Sequence, residues 1–527
     1  MFSEAHYSFQ IAQNRPTCTE ALLRIVELFA VAYGVFVVHF VCLSLLETVP
    51  FVVRLSTGLA VGAAVFRLAL TLFRRHSRDL LLLFSGYGLA VGVSLMQWSR
   101  KSDPDLFHAV AVRYWNSVDN KIPGFMARAL MTGKDLEPFL FADWKSSDRP
   151  PLVSGFLLAL GSKVNDQFIE FLVLVFVSSL LIIIVRLVVE LHGMDSNWAA
   201  AVAVCVFCAP GIFTNVLYTW PKVPSASLVL IACALAIKSP NFPRWREYSG
   251  IAIALSFLSH GSSLFALVPL CILIAKRRGI TNLIRILGCA FTTYIPWLLY
   301  QRFFDPPGNR LLYWHLAGYT SIPENTGVAS AIATAYSSAN FREIIGWKVD
   351  NFVNLFANNF KNDATAGYDG LINNITGWTQ TTLLGSIGLG VMLLPVFLSA
   401  RMRQQSRPHL PSLWLATSSV VCLCIFEIGN SHLAIATLHI SSLATTAWFL
   451  VFLLETLAEQ RRPVVQVTLM VGMLAWAVIA IGVLHPSGAA AGWAKYEFQW
   501  DFGLLALLSA IVMGRCFLPQ VKLTAVN

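Results

Sequence analysis

Long apolar segments separated by short polar ones run along most of this chain. A helix needs about 20 apolar residues to cross a bilayer, and fewer where two helices pair as a short hairpin. Predicted spans by that measure lie near residues 21–46, 50–73, 79–98, 167–191, 197–217, 222–238, 249–259, 262–276, 282–304, 381–400, 411–430, 432–456, 463–484 and 501–519. The pattern predicts an all-α polytopic membrane protein with about 14 transmembrane helices.

One pair of these spans is short. Segments 249–259 and 262–276 are separated by Ser259-His260-Gly261, and a single long helix broken there would reduce the count to 13. Basic residues distinguish the two counts, because cytoplasmic loops are enriched in lysine and arginine. With 14 spans and a cytoplasmic N-terminus, every basic cluster is cytoplasmic, whereas 13 spans put the clusters on opposite sides. We therefore favour 14, with both termini in the cytoplasm. The clusters are Arg74, Arg75 and Arg78; Lys238, Arg244 and Arg246; Lys276, Arg277 and Arg278; Arg401, Arg403 and Arg407; and Arg461 and Arg462.

Composition agrees with a membrane location. The chain has 527 residues, of which 56% are hydrophobic and 13% charged, and its mean hydropathy is +0.65, which excludes an ordinary soluble domain. The net charge of +10 is scattered through short loops, so we expect it to orient membrane spans and predict no nucleic-acid partner. The first apolar run is too long for a cleavable signal peptide and predicts an uncleaved first span. These features indicate an integral protein of the plasma (inner) membrane.

Two long polar loops divide the chain and fall on the outer side. The first contains a segment of helical periodicity from Leu106 to Trp115, and a shorter apolar segment runs from Pro151 to Leu160. We expect amphipathic helices in the interface plane at both places. The predicted regions are 1–98 (N-terminal spans), 99–166 (first outer loop), 167–304 (central spans), 305–380 (second outer loop) and 381–527 (C-terminal spans).

Paired acids open the first outer loop. Asp103 and Asp105 lie within one turn of the end of the third predicted span. A carboxylate held at the membrane boundary can take a proton from an attacking hydroxyl, as a general base does. Asp-Pro-Asp before an apolar-periodic segment is also a good helix start. The two roles are compatible, because a capping position holds an acid rigidly.

Basic side chains recur at outer positions, where topology disfavours positive charge. Lys145 and Arg149 close the first loop, Lys222 joins two spans, and Arg310 follows a Pro-Pro-Gly turn in the second loop. Each is a candidate phosphate ligand, with lipid snorkelling or an ordinary loop position as the alternative. His260 interrupts an apolar run and is either a substrate-binding or a hydrogen-bonded structural residue.

Other candidates are weaker. His315 follows Arg310, while Glu427 and His432 lie near another outer turn. Nine of the ten cysteines fall in apolar runs, including Cys205 and Cys208, so we predict packing there, with no disulfide and no metal ligand.

Together these residues resemble the GT-C superfamily of integral-membrane glycosyltransferases, with bacterial aminoarabinose transferases and protein O-mannosyltransferases as the nearest analogues. The resemblance covers about residues 79–300. It lies in an acid-tipped span, a loop of amphipathic helices and a charged-Pro-Pro-Leu motif, here Asp148-Arg149-Pro150-Pro151-Leu152. Those families usually have Lys or His before Pro-Pro-Leu and often carry adjacent Asp-Glu, whereas Pro104 separates the acids here, and two extra spans precede the motif.

The resemblance implies an enzyme. Asp103 or Asp105 would be the general base and Arg149 would contact a lipid-linked phosphate, while an acceptor hydroxyl displaces the phosphate with inversion outside the cytoplasm. The implied partners are a polyprenyl-phosphate sugar donor, a glycan, lipid or protein acceptor, and membrane lipids. No cofactor is predicted, and a divalent metal stays open. The alternative is a transporter or flippase of lipid-linked sugars, which predicts internal repeats, helices broken at the bilayer midplane and acids buried within spans.

Overall fold

The structure is a computed structural model of the chain. It describes residues 2–75, 77–95, 122–133, 144–161, 166–193, 196–238, 242–306, 308, 310–319, 321, 326–357, 410–428 and 500–517. These parts are helical apart from turns and short connections, which confirms the all-α class. Asp103, Asp105, His432 and three of the predicted spans (381–400, 432–456 and 463–484) lie outside the described residues.

Seventeen helices are described, with short 3-10 turns at Ser146–Asp148 and Gly261–Ser263 and a π turn at Tyr300–Phe304. They are α1 (Phe2–Leu46), α2 (Phe51–Arg75), α3 (Ser77–Leu95), α4 (Ile122–Thr132), α5 (Leu152–Leu158), α6 (Gln167–Leu191), α7 (Ser196–Phe207), α8 (Pro210–Leu217), α9 (Lys222–Lys238), α10 (Trp245–Ser259), α11 (Leu264–Arg278), α12 (Ile280–Leu299), α13 (Arg310–Ala317), α14 (Val328–Ser337), α15 (Phe341–Ala357), α16 (Leu410–Phe426) and α17 (Trp500–Phe517).

Five helices in the described parts are long and apolar enough to cross a membrane. The pair α7 and α8 passes the same test as one span, bent by 67° where Pro210 follows Phe207, Cys208 and Ala209. The chain is therefore a membrane protein by the length and composition of its helices, and the count of 14 spans stays a prediction. The five helices are Pro16–Leu46, Phe51–Arg75, Ser77–Leu95, Phe168–Leu191 and Ile280–Phe304.

The predicted break at Ser259-His260-Gly261 is present. Helix α10 ends at Ser259 and α11 begins at Leu264. The guanidinium of Arg278, the last residue of α11, lies 5.8 Å from the ring of Trp245, the first residue of α10. The two helices therefore run antiparallel as a hairpin and are not one continuous span.

One end of the bundle collects the described basic clusters, and we call it the basic end. Here α2 meets α6 through an ion pair between Arg75 and Glu190, and Arg246 donates to Asn282 over 2.6 Å. Helix α1 connects these groups, because its Glu27 accepts a hydrogen bond from Tyr248 over 3.0 Å and its Cys18 lies beside Glu190. This grouping is what the positive-inside pattern predicts; which end faces the cytoplasm stays a prediction.

Helix α5 has no exposed face, so the expectation of an amphipathic helix is wrong for it. All seven of its residues are buried. A Cβ atom at Gly155 would lie 2.0 Å from the carbonyl oxygen of Ala32, so only glycine permits this approach of α5 to α1. Helix α4 does have one buried face, formed by residues such as Met126 and Leu130. The predicted helix at 106–115 lies outside the described residues.

Candidate functional site

Three of the basic candidates and His260 converge at the end opposite the basic end, which we call the site end. The guanidinium carbons of Arg149 and Arg310 each lie 4.2 Å from the centre of the Trp144 ring, so they are at most twice that distance apart. Lys222 and Arg149 are both close enough to His260 for their charges to lower its pKa. The cation cluster, as we name Arg149, Lys222 and Arg310, thus joins three distant parts of the sequence around His260.

Lys222 is the first residue of α9 and one of the most deeply buried charged residues described, at 2% exposure. Its ammonium lies 3.8 Å from the centre of the Trp220 ring, a cation–π contact that holds the charge without neutralising it. The residue before it, Pro221, is held against the end of α10, because the hydroxyl of Ser259 donates to the carbonyl oxygen of Pro221 over 2.8 Å. That hydrogen bond brings Lys222 next to His260.

A carboxylate positions the two arginines. Asp148 accepts hydrogen bonds from the backbone N–H of Lys145 at 3.0 Å and of Arg310 at 3.2 Å. The carboxylate therefore joins the segment before Arg149 to the start of α13 and sets Arg149 beside Arg310. Burial raises the pKa of Asp148, and the two backbone hydrogen bonds oppose that shift.

A second carboxylate reinforces the same junction. Asp305 accepts hydrogen bonds from the hydroxyl of Ser146 and from the backbone N–H of Ser147, the latter at 3.1 Å. Gln301 donates to the carbonyl oxygen of Ser147 over 2.9 Å. Gly308 adopts a φ of +63° and packs against Ser147, where a Cβ atom would meet neighbours at 3.0–3.2 Å. The turn that carries Arg149 is thus held against the end of α12.

Lys145 plays a different part from the other basic candidates. Its ammonium donates to the carbonyl oxygen of Pro306, and its backbone N–H to Asp148. Its described contacts therefore join the segment around Ser146 to the turn at Pro306, beside the Trp144 ring that holds Arg149 and Arg310.

The hydrogen bonds of His260 fix its tautomer. Its Nδ1 accepts from the backbone N–H of Ser262 at 3.3 Å and lies 2.8 Å from the hydroxyl of the same residue. A backbone N–H can only donate, so Nδ1 carries no proton and the neutral ring keeps its proton on Nε2. Burial and then the charges of Lys222 and Arg149 lower the pKa of His260 well below its usual range. The side chain is therefore a neutral N–H donor among cations.

A histidine–glutamate pair lies next to the cluster. His315 Nδ1 is 3.1 Å from a carboxylate oxygen of Glu427, which is 1% exposed, and the ring of Phe265 lies 6.4 Å from that of His315. Because a carboxylate only accepts, the Nδ1 proton of His315 points to Glu427. His315 also contributes to the lowered pKa of His260, which places the two rings near each other.

Sequence reasoning missed several residues of this site. Trp144 precedes Arg149 and Trp220 precedes Lys222 by a few residues in the sequence. This spacing of an aromatic before a basic residue was the available signal for the cation–π contacts. Asp148 appeared only as part of the Pro-Pro-Leu motif. Asp305 belonged to a turn signal with no indicated chemistry. Among the described residues, no group of three or more His, Cys, Asp or Glu could hold a metal ion.

Comparison of the chain with protein-family models, curated proteins and solved structures gives no match. The likeness to GT-C enzymes therefore rests on the motif and its placement. What the geometry offers chemically is an anion site: three cations held against indole rings or by fixed backbone, with one neutral N–H donor beside them.

Proposed function

We propose that this chain is a membrane glycosyltransferase of the GT-C type. It transfers a sugar from a polyprenyl-phosphate donor to the hydroxyl of a glycan, lipid or protein acceptor. The observation that carries the proposal is the convergence of Arg149, Lys222 and Arg310 around His260 at one end of a membrane bundle. A lipid-linked phosphate sits at that depth, where the spans end and the headgroups begin.

The cation cluster suits a phosphate in number and kind. Two neighbouring guanidinium groups offer planar pairs of N–H donors that match phosphate oxygens, and the Lys222 ammonium adds a point charge. Charge interactions strengthen as water is excluded; Lys222 and Arg310 are buried, and Arg149 is half-buried. The Nε2 proton of His260 supplies a further donor that carries no charge.

The reaction is a single displacement. The acceptor oxygen forms a bond to the anomeric carbon while the bond from that carbon to the phosphate oxygen breaks, and the configuration inverts. The hydroxyl proton goes to Asp103 or Asp105, the general base that the resemblance implies. The lipid phosphate leaves with the electron pair, and the cluster stabilises its growing negative charge. We place this chemistry on the extracytoplasmic face of the plasma (inner) membrane.

A transfer assay tests the proposal. Purified protein in liposomes is given radiolabelled polyprenyl-phosphate sugars and candidate acceptors, and Asp103→Asn and Asp105→Asn are compared with the wild type. Loss of a general base lowers the rate by about 10²–10⁴-fold, so we expect one of the two variants to show that loss. Full activity in both, with folding intact, would remove the base assignment.

A flippase of lipid-linked sugars is the second candidate, and one observation favours it. The bend of 67° between α7 and α8 breaks a span in its middle, as in many transporters. The same liposomes distinguish the two functions. Movement of lipid-linked sugar across the bilayer with no transfer to any acceptor would contradict the enzyme and support the flippase.

A further inference from the structure

Helix α15 in the second outer loop is fastened beside the site by one of its faces. Lys348 donates to the carbonyl oxygen of Glu427 over 2.8 Å and to the hydroxyl of Tyr336 over 2.7 Å. Asn351 donates to the same carbonyl over 2.7 Å. The carboxylate of Glu427 also pairs with His315. Helix α15 therefore lies at the site end and contacts one member of the histidine–glutamate pair.

A second face of α15 exposes large apolar side chains. Their spacing is i, i+4, i+8, i+11 and i+12, which at 3.6 residues per turn covers an arc of about 120°. An apolar stripe of this size on an exposed helix marks an interaction surface. The stripe consists of Phe341, Ile345, Val349, Phe352 and Val353, which are 79%, 47%, 53%, 52% and 46% exposed.

The two acidic residues of the helix occupy a third face. Glu343 and Asp350 are exposed and seven residues apart, which puts them on one line about 180–200° from Phe341. Arg342 lies within the arc of the apolar stripe, about 100° from Phe341, where a long side chain can follow apolar surface and keep its charge at headgroup level. The helix therefore has one face bonded to protein, one exposed apolar face and one exposed acidic face.

We propose that α15 lies in the surface of the bilayer at the site end and that phospholipid covers its apolar stripe. An in-plane amphipathic helix has this division into apolar and charged faces. Four charged residues in 17 make α15 unsuitable as a span. Apolar side chains are also exposed at the site end of the span Ile280–Phe304, where Leu299 and Phe303 are 48% and 77% exposed. The inference rests on the membrane character of the chain and is independent of the proposed transfer reaction.

Photo-crosslinking tests the occupant directly. We would incorporate p-benzoylphenylalanine at Phe341 and Phe352, where an aromatic ring is already present and more than half exposed, and at Glu343 and Asp350 as matched controls. Each variant is placed in nanodiscs of phosphatidylethanolamine and phosphatidylglycerol, irradiated, digested and analysed by mass spectrometry. We expect phospholipid adducts severalfold more abundant at Phe341 and Phe352 than at the two acidic positions.

Three outcomes would overturn the proposal. Crosslinks from Phe341 and Phe352 to another segment of the chain would show that the protein itself covers the stripe. A crosslinked dimer would make the occupant a second copy, and equal lipid yields at all four positions would remove the sidedness. Size-exclusion chromatography in detergent identifies any variant that does not fold, and the two phenylalanine positions carry the test alone if an acidic control is lost.

Discussion

The two ends of this bundle hold buried charges in different ways. At the basic end, Arg75 and Arg186 meet the carboxylates of Asp79 and Glu190 directly, so two positive and two negative charges share one network. At the site end, Arg149, Lys222 and Arg310 lie against indole rings. The carboxylates of Asp148, Asp305 and Glu427 accept there from backbone N–H groups, one serine hydroxyl and a histidine, and the charge of Arg310 also acts on Asp148.

This difference distinguishes charged residues that stabilise the fold from charged residues that we expect to act on a ligand. A carboxylate that pairs with an arginine neutralises it and joins two helices. An aromatic ring stabilises a cation without placing a negative charge beside it. We therefore expect substitutions at the basic end to change the free energy of unfolding, and substitutions at the site end to change binding and activity.

The largest effect is expected from Asp79→Asn at the basic end. Asp79 is fully buried, and the substitution leaves Arg75 and Arg186 without that carboxylate. Breaking a buried pair costs about 3–5 kcal/mol of unfolding free energy. Denaturant unfolding in mixed micelles measures the change. Glu20→Gln is the control, because its exposed pair with Arg24 should contribute no more than about 1 kcal/mol.

Lys222→Gln tests the other end. Removing one charge that stabilises a leaving phosphate should lower the transfer rate by about 10²-fold or more. Unfolding should change little. Lys276→Gln makes the same substitution at an exposed position of the basic end and should leave the rate unchanged. Equal losses of activity in the two variants would contradict the claim that only the cations of the site end act in transfer.

A pair of His260 variants sharpens the role of the neutral donor. His260→Asn keeps an acceptor for the Ser262 N–H but loses the Nε2 donor, whereas His260→Gln places an N–H near Nε2 and loses the cap. A lost hydrogen bond to a charged ligand corresponds to about tenfold in affinity. Titration with undecaprenyl phosphate should show that loss in the Asn variant only. The opposite ranking would mean that His260 only caps its turn.

The smallest effect is expected at an aromatic support. Trp220→Phe keeps a ring beneath the Lys222 ammonium but weakens the cation–π contact, which is strongest for tryptophan. We expect the dissociation constant for undecaprenyl phosphate to rise about two- to fivefold. Trp245→Phe makes the same change beside Arg246 and Arg278 at the basic end and should not alter binding. A similar loss there would show that ring substitutions act through folding.

The sequence predicted the helical class and the hairpin at His260, because apolar length and polar interruptions are local signals. It also identified Arg149, Lys222 and Arg310 as candidate phosphate ligands: Arg149 from the Pro-Pro that follows it, Lys222 from a charge that topology disfavours, and Arg310 from its place after a turn. That these three residues lie close together could not be predicted from the sequence. Their proximity depends on how helices pack and on Asp148 and Asp305, whose hydrogen bonds connect segments more than 150 residues apart.

The burial of helix α5 is a second feature that the sequence did not predict. A short apolar segment next to a membrane predicts an interfacial helix, and the sequence contains no sign that Gly155 would admit the backbone of α1. Close backbone approach depends on a partner far away in the chain. The burial of α5 was therefore visible only in three dimensions.

The central claim is that the cation cluster binds a lipid-linked phosphate. A cryo-EM structure of the protein in nanodiscs with undecaprenyl phosphate tests it most directly. The account predicts phosphate density at the site end, within hydrogen-bonding distance of Arg149, Arg310 and Lys222. Density for the phosphate at the basic end beside Lys276 and Arg277, with none near the cluster, would contradict it.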